Sequence, residues 1–262
     1  MPQPHFVRRS TLLALGLTTL GAQSAIAQEN YEIQVYGSDL IPPGRTIFEL
    51  HSNYTADGNK TLGAFGMLPT NHALHETIEI THGFTPWFEV GWYIFTSVPA
   101  GGGWTWVGDH IRPRVRAPED WHWPVGASLS IEAGYQRSAF SEDTWSVEIR
   151  PIVDKQMGRF YWSINPTFGL PLKNPSGNYS LGFAPNVAVG FDVTEQVNLS
   201  VEYYGSLGPV TKFDPSSQQQ HQIFPAINLN LSPQFEFNFG VGFGLTDAGD
   251  KTVIKMITGY RL

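Results

Sequence analysis

The chain alternates apolar and polar residues in short segments, and the alternation continues to its last residue. In residues 252–262, Ile254, Met256, Tyr260 and Leu262 fall on one face, while glycine and basic residues fall on the other. A period of two predicts a β-strand. A closing strand with one apolar face is typical of outer-membrane barrels, in which that face meets lipid. We therefore interpret Tyr260 and Leu262 as a C-terminal barrel signature.

The same two-faced pattern recurs along most of the sequence. It appears in residues 46–54, 74–81, 87–96, 106–116, 125–135, 145–154, 160–170, 179–191, 197–206, 220–231, 235–245 and 252–262. Their lengths match the ~9–11 residues that a tilted membrane strand needs. Short connections alternate with longer, more polar ones, although residues 117–122 are long for a turn and residues 246–250 are short for a loop. The pattern predicts an all-β fold, a single closed antiparallel transmembrane β-barrel of about 12 strands.

A soluble β-sandwich or a lipocalin-like barrel would show the same periodicity, with its apolar face in a core. The polar face of this chain carries small and charged residues, which a wet lumen tolerates better than a packed core does. Trp and Tyr also cluster near the segment ends, where membrane interfaces lie. These interface aromatics are Trp87, Trp104, Trp106, Trp121, Trp123, Tyr135 and Trp145. Both features favour a barrel surrounded by outer-membrane lipids.

The first residues predict export. Residues 1–27 combine a basic start, an apolar stretch and a small-residue cleavage site, which together indicate a signal peptide. Residues 28–45 follow as an N-terminal leader or a short plug, and we favour the leader because termini are often loosely held. Residues 46–262 form the barrel. We expect a location in the outer membrane of a Gram-negative bacterium, reached through a cleaved signal peptide and the barrel-assembly machinery.

The composition excludes several other classes. The sequence has no cysteine, so disulfides cannot brace it. Its net charge of −7 argues against a nucleic-acid partner. After residue 27 no apolar run reaches the ~18 residues of a membrane-spanning helix.

Charged residues concentrate on the inward face of the third to sixth segments. This predicted lumen charge patch comprises Glu89, His110, Arg112, Arg114, Arg116, Glu132, Glu148, Arg150 and Asp154. One interpretation is a selectivity patch that orients a polar or charged solute. The other is a network of salt bridges that braces a narrow, filled lumen. The sequence leaves both interpretations open.

Catalytic and metal sites are weakly indicated. His51, His75 and Glu79 can share one side of the lumen, but such triplets arise often by chance, so we assign no metal ligand. A serine, a histidine and an acid also occur on neighbouring inward faces, as any alternating sheet would provide. We therefore predict a protein that is not an enzyme, has no cofactor and has no catalytic residue.

Prolines interrupt the predicted strands. Pro113, Pro151, Pro166, Pro185 and Pro225 all fall on the apolar face, and four of them recur about one hairpin apart. Because proline cannot donate to a β-ladder, we expect bulges or a shared kink at these positions.

Two blocks of sequence resemble a known family. One runs through residues 32–36 and 48–54, and the other through residues 71–84 and 108–116, which read NHALHETIEITHGF and GDHIRPRVR. They resemble uncharacterised Gram-negative outer-membrane barrels, loosely grouped with proteins called "MetA-pathway of phenol degradation" and with transporter-like barrels. The resemblance implies a porin-like narrow channel or transporter for small solutes, hydrophobic or aromatic ones included. A non-transporting structural or receptor-like barrel and an outer-membrane lipid-modifying hydrolase are the alternatives.

Overall fold

A computed structural model describes residues 30–262, and the predicted signal peptide lies outside these residues. The described chain is almost entirely β. The strands are β1 (Thr46–Asp57), β2 (Leu74–Thr85), β3 (Phe88–Val98), β4 (Thr105–Arg116), β5 (Gly126–Gln136), β6 (Trp145–Met157), β7 (Phe160–Lys173), β8 (Gly182–Asp192), β9 (Val197–Ser206), β10 (Gly208–Pro209), β11 (Gln220–Ser232), β12 (Phe235–Gly244) and β13 (Thr252–Arg261). Two single-turn 3₁₀ helices lie in connections, at Ala64–Gly66 and Glu119–Trp121. Among the described residues no helix is long and apolar enough to cross a membrane.

The twelve long strands close into one antiparallel barrel. Each pairs with two neighbours, β9 pairs with both β8 and β11, and the two-residue strand β10 adds a short extra pairing to β8. The seam joins the first and last strands, with Leu50 of β1 opposite Thr258 of β13. The predicted all-β closed barrel of about 12 strands is therefore confirmed.

Side chains alternate between the lumen and the outer surface. In β2, Thr77 and Glu79 are buried inside, whereas Ile78 between them is exposed on the outside. The same arrangement puts Tyr93 inside and Trp92 outside on β3. Apolar side chains thus cover the exterior and polar ones line the interior, which is the reverse of a soluble barrel and matches a wall in contact with lipid.

Aromatic residues lie at both ends of the barrel. At the end with the longer connections, here called the outer end, Trp106 stacks on Tyr135 and Tyr135 packs on Trp145, with ring centroids 6.0 and 5.5 Å apart. At the opposite, inner end, Trp121 packs on Trp123 at 5.2 Å. The remaining members of the predicted set, Trp87 and Trp104, are exposed at the inner and outer ends respectively, and the C-terminal residues Tyr260 and Leu262 also face outward. Aromatic residues at both ends of the wall are typical of membrane barrels.

The prolines interrupt the ladder without shifting its register. Between β6 and β7 the pairing stops after Ile149 and Phe168 and resumes at Val153 and Ile164, the same number of residues further along each strand. Comparable gaps include Pro113 in the β4–β5 pairing and Pro225 in the β11–β12 pairing. The prediction of bulges is therefore wrong at these positions. A bulge needs an extra residue in one strand, whereas proline only removes a hydrogen-bond donor from the ladder.

The chain segment before β1 occupies the lumen. This luminal segment, residues 30–45, starts near the outer end, where Asn53 donates a hydrogen bond to the Asn30 carbonyl (2.9 Å). It ends at the inner end, where the Gly44 N–H donates a hydrogen bond to the Gly83 carbonyl (2.8 Å). Tyr31, Ile33 and Tyr36 are buried along the way. Residues 30–45 thus run through the barrel as the short-plug alternative has it, and not below it as the favoured periplasmic leader would.

Candidate functional site: the occupied lumen

Side chains of the wall hold the luminal segment at its centre. Tyr36 donates its backbone N–H to Asn165 Oδ1 (2.7 Å), and its carbonyl accepts from Asn165 Nδ2 (3.0 Å) and Ser163 Oγ (2.5 Å). Ser163 and Asn165 lie two residues apart on β7, so both point inward, and both are fully buried. The Asn165 side-chain amide therefore satisfies the backbone N–H and carbonyl of Tyr36, which in a β-sheet would bond to a neighbouring strand.

Further wall residues hold the segment on either side of Tyr36. Thr77 Oγ1 donates to the Tyr31 carbonyl (2.7 Å) towards the outer end. Arg114 Nη2 donates to the Asp39 carbonyl (2.8 Å) and also to the Gly37 carbonyl towards the inner end. Within residues 30–45 the only ladder-type pairing with the wall is the bridge between Pro43 and Gly83. Side chains, rather than strand pairing, fix the segment.

The aromatic ring of Tyr36 lies among three guanidinium groups. The Cζ atoms of Arg112, Arg150 and Arg114 are 4.8, 5.0 and 5.7 Å from its ring centroid. Each contact has the geometry of a cation–π interaction, worth about 0.5–2 kcal/mol depending on desolvation. The Tyr36 hydroxyl donates to Glu32, which adds a buried carboxyl group to the cluster. The segment thus supplies the ring around which arginines from β4 and β6 converge.

Acidic side chains from β2 and β3 neutralise two of these arginines. Arg112 Nη2 lies 2.8 Å from Glu79 Oε1 and 3.7 Å from Glu89 Oε1, and Arg114 Nη1 lies 3.6 Å from Glu89 Oε1. Glu89 and Arg114 are direct partners in the β3–β4 register. All four side chains are buried, so the pairing is needed to keep the charges in the lumen.

The rest of the predicted charge patch divides into two places. His110 Nδ1 lies 2.6 Å from Glu132 Oε1, and Arg150 Nη2 lies 2.7 Å from Glu148 Oε1. These four residues help to line a cavity of about 60 Å³. The structure therefore brings Glu89, His110, Arg112, Arg114, Glu132, Glu148 and Arg150 into one connected region around Tyr36. Two members lie apart at the inner end. Arg116 pairs with Asp39 (3.2 Å) and Glu119 (3.3 Å), and Asp154 accepts from the Tyr161 hydroxyl (2.9 Å).

Sequence reasoning missed several members of this network. Glu32 and Tyr36 lie in a segment expected outside the lumen. Glu202 on β9 forms a buried ion pair with Lys255 on β13, and Tyr204 donates its hydroxyl to the same carboxylate. The alternation places Glu202 and Lys255 inward, but only the closed barrel shows that their side chains meet across the lumen although two strands, β11 and β12, lie between β9 and β13.

A wider cavity opens above the luminal segment. Its volume is about 590 Å³, and it is lined by the outer connections and by Tyr31 at its floor. Asp143 and Asn174 lie on its rim, where Asn174 Nδ2 donates to Asp143 Oδ1 (2.5 Å). Burial raises the pKa of Asp143 above its ordinary value, and the hydrogen bond from Asn174 partly opposes this shift. The lumen is therefore open to the outer side down to Tyr31, and below it the luminal segment fills the lumen apart from small spaces such as the cavity of about 60 Å³ beside Arg150.

The three residues considered as metal ligands do not come together. His51 and Glu79 are adjacent, with Nε2 and Oε2 3.3 Å apart. His75 lies nearer the outer end, with its ring 4.8 Å from that of Tyr31. Glu49, rather than His75, completes a group with His51 and Glu79, because Glu49 and Glu79 are direct partners in the β1–β2 register.

Fold and site together define a closed β-barrel of the outer-membrane type with an occupied polar lumen. Residues 115–259, more than half of the chain, match the family described as "Putative MetA-pathway of phenol degradation". The chain belongs to this family, which confirms the resemblance seen in the sequence. No curated protein matches the chain.

Solved structures show the same fold at low sequence identity. The COG4313 outer membrane channel from Pseudomonas putida F1 is 10% identical, with a TM-score of 0.60 over 88% of this chain and 100% of that one. A NanC porin structure is 7% identical, with a TM-score of 0.52 over 81% of this chain and 97% of that one. The KdgM porin in complex with oligogalacturonate is 10% identical, with a TM-score of 0.51 over 82% of this chain and 98% of that one. At these identities the likeness concerns the fold.

Proposed function

We propose that the protein is an outer-membrane channel for small solutes and that its luminal segment closes it in the conformation described here. One observation carries the proposal. The segment passes through a polar lumen but is joined to the wall mainly by side chains, with a single ladder-type bridge at Pro43. Each such hydrogen bond contributes a net of about 0.5–1.5 kcal/mol. A segment held this way can leave the lumen without breaking the barrel wall.

The location and the solute class belong to the same proposal. An apolar exterior between two aromatic girdles fits the outer membrane of a Gram-negative bacterium. The solved structures that share the fold include one described as an outer membrane channel and two described as porins. Membership of a family named for phenol degradation supports small aromatic compounds as the solutes. Departure of the segment would uncover Tyr93 of the wall, which is now buried beside Tyr36 and offers a ring on which such compounds can stack.

Single-channel conductance in planar bilayers tests the proposal. We expect the refolded full-length protein to show small, infrequent openings. The double substitution Ser163→Ala and Asn165→Ala removes three hydrogen bonds to Tyr36, so we expect longer or more frequent openings. Asn228→Ala is the matched control, since this lumen amide bonds to Asn198 and Ser200 of the wall. Swelling of liposomes in phenol or in a sugar of similar size then compares solute classes.

The opposite result would favour a non-transporting barrel. If neither the wild type nor the double variant conducts, while heat-dependent gel mobility shows that both are folded, the channel proposal is wrong. The lumen network would then serve only to brace the wall. Equal swelling rates for phenol and sugar would remove the aromatic solute class but keep the channel.

A further inference from the structure

We infer that Glu49, His51 and Glu79 form a binding site for a divalent transition-metal ion, such as Zn²⁺, on the lumen wall. The site lies on β1 and β2 towards the inner end of the barrel. It is separate from the arginine cluster around Tyr36 that the channel proposal uses, and it goes beyond that proposal. Candidate ligand atoms of the three side chains all lie within 4.8 Å of one another, and all three residues are buried.

Strand geometry brings the three side chains together. Glu49 and His51 are two residues apart on β1, so both face the lumen, and Glu79 is the direct partner of Glu49 across the β1–β2 pair. Directly opposed residues have Cβ atoms about 4.5–5.5 Å apart. Two carboxylates held at that distance repel each other unless a cation or a proton lies between them.

His51 is the second, independent indication of a ligand. Its side chain is fully buried, and neither ring nitrogen forms a hydrogen bond among the described residues. Its Nε2 is 3.3 Å from Glu79 Oε2, which also accepts no hydrogen bond. This separation is longer than the usual 2.7–3.2 Å hydrogen bond. It matches the edge of a tetrahedron around one metal ion, since ligands at ~2.0–2.1 Å lie about 3.3–3.4 Å apart.

The surroundings of Glu79 orient its free oxygen. Oε1 accepts hydrogen bonds from Arg112 Nη2 (2.8 Å) and Thr81 Oγ1 (2.7 Å), so its position is fixed. Oε2 is thereby turned towards His51. Hydrogen bonds of this kind, made to the non-ligating oxygen, are the usual way in which a protein orients a metal-binding carboxylate.

Local charge also favours a divalent cation. Glu49 forms no ion pair with a basic side chain among the described residues, and Arg112 is shared between Glu79 and Glu89. Gly259 lies opposite Glu49 on one side and opposite Glu236 on the other. A Cβ at Gly259 would approach Glu236 Cγ to 2.6 Å, so its absence lets a third carboxylate come near Glu49. Glu236 is itself paired with Arg261, and its side chain is about one quarter exposed, which gives an ion a path from the inner end.

Zn²⁺ alone is the probe for the test, added to the chelator-treated, refolded full-length protein. Isothermal titration should give one site per chain. We expect His51→Gln and Glu49→Gln each to weaken binding by at least about tenfold, as loss of a ligand should exceed the 10–100-fold effect of losing an outer-shell partner. His75→Gln, a buried lumen histidine about 13 Å along β2 from Glu79, should bind like the wild type. Substitution with Co²⁺ should give the visible absorption of a histidine-bound ion in the wild type but not in His51→Gln.

Two results would overturn the inference. One is a wild type that binds no Zn²⁺. The other is binding that persists unchanged in both His51→Gln and Glu49→Gln. Gel mobility before and after heating identifies any variant that has not folded, and Glu49→Asp then replaces Glu49→Gln. If a shared proton holds the two carboxylates together, Zn²⁺ will leave the unfolding temperature of the wild type unchanged, whereas a bound ion raises it.

Discussion

Arg112 on β4 donates a hydrogen bond of 2.8 Å to Glu79 on β2, reaching across the intervening strand β3 inside the lumen. Both side chains are almost completely buried. The same guanidinium lies over the rings of Tyr36 and Tyr93, at 4.8 and 5.2 Å. One residue therefore links the wall, its ion pairs and the luminal segment.

Arg112→Gln should destabilise the barrel strongly. The substitution leaves Glu79 buried without its cationic partner, and breaking a buried pair costs about 3–5 kcal/mol. The measurement is the urea concentration at which the band of the folded, unheated protein disappears from the gel. The control is Arg137→Gln. The exposed Arg137 side chain forms hydrogen bonds with Thr105 and Trp106 and no salt bridge among the described residues, so we expect its loss to cost less than about 1 kcal/mol. Similar midpoints for the two variants would contradict the importance given to the buried pair.

Lys255 and Glu202 should behave as a coupled pair. Lys255→Met leaves the Glu202 carboxylate buried and unpaired by its lysine, so we expect clear destabilisation. The double variant Lys255→Met and Glu202→Gln removes both charges and should recover much of the loss. A double-mutant cycle on urea midpoints should give a coupling of about 0.5–3 kcal/mol. Additive effects would show that the two side chains do not interact.

A charge on the outer surface should reveal which face meets lipid. Ile131 is exposed in the middle of β5, and Ile131→Arg should cost about 2–4 kcal/mol in a bilayer. Met157, equally exposed at the inner end of β6, should tolerate arginine at a cost of about 0–1 kcal/mol. Refolding yields and urea midpoints in liposomes measure both. Equal tolerance at the two positions would argue against the membrane-facing exterior.

A disulfide should form across the barrel seam. Leu50 and Thr258 are direct partners, so their Cα atoms lie about 4.5–5.5 Å apart, within the range for a disulfide. Because the chain has no cysteine, the double cysteine variant gives an unambiguous gel shift on oxidation. The control pair, Leu50→Cys with Ile254→Cys, is displaced about 13 Å along β13 and should not cross-link. If Leu50→Cys and Thr258→Cys do not cross-link, either the register between β1 and β13 or the closure of the barrel is wrong.

The wall of this protein could be predicted from sequence because its signal is local. Residues 125–135 alternate with a period of two, and the structure forms β5 over Gly126–Gln136. The long connection at residues 117–122 contains the 3₁₀ turn Glu119–Trp121, which explains its length for an inner turn. The luminal segment could not be predicted in the same way. Residues 31–36 form an extended piece with no strand partner, and its position depends on distant side chains such as Asn165 and Lys255.

The sequence by itself determined the strands, their inward and outward faces and the charges of β3 to β6 that enter the lumen. These follow from the period of two and from the cost of exposing polar groups to lipid. Only the tertiary structure decided which charges pair, because closing the barrel brings β9 close to β13 and lets side chains reach across a strand, as Arg112 does to Glu79. It also decided that residues 30–45 fill the lumen and that Glu49, not His75, joins His51 and Glu79. Both outcomes depend on distances between residues far apart in the chain, which periodicity does not encode.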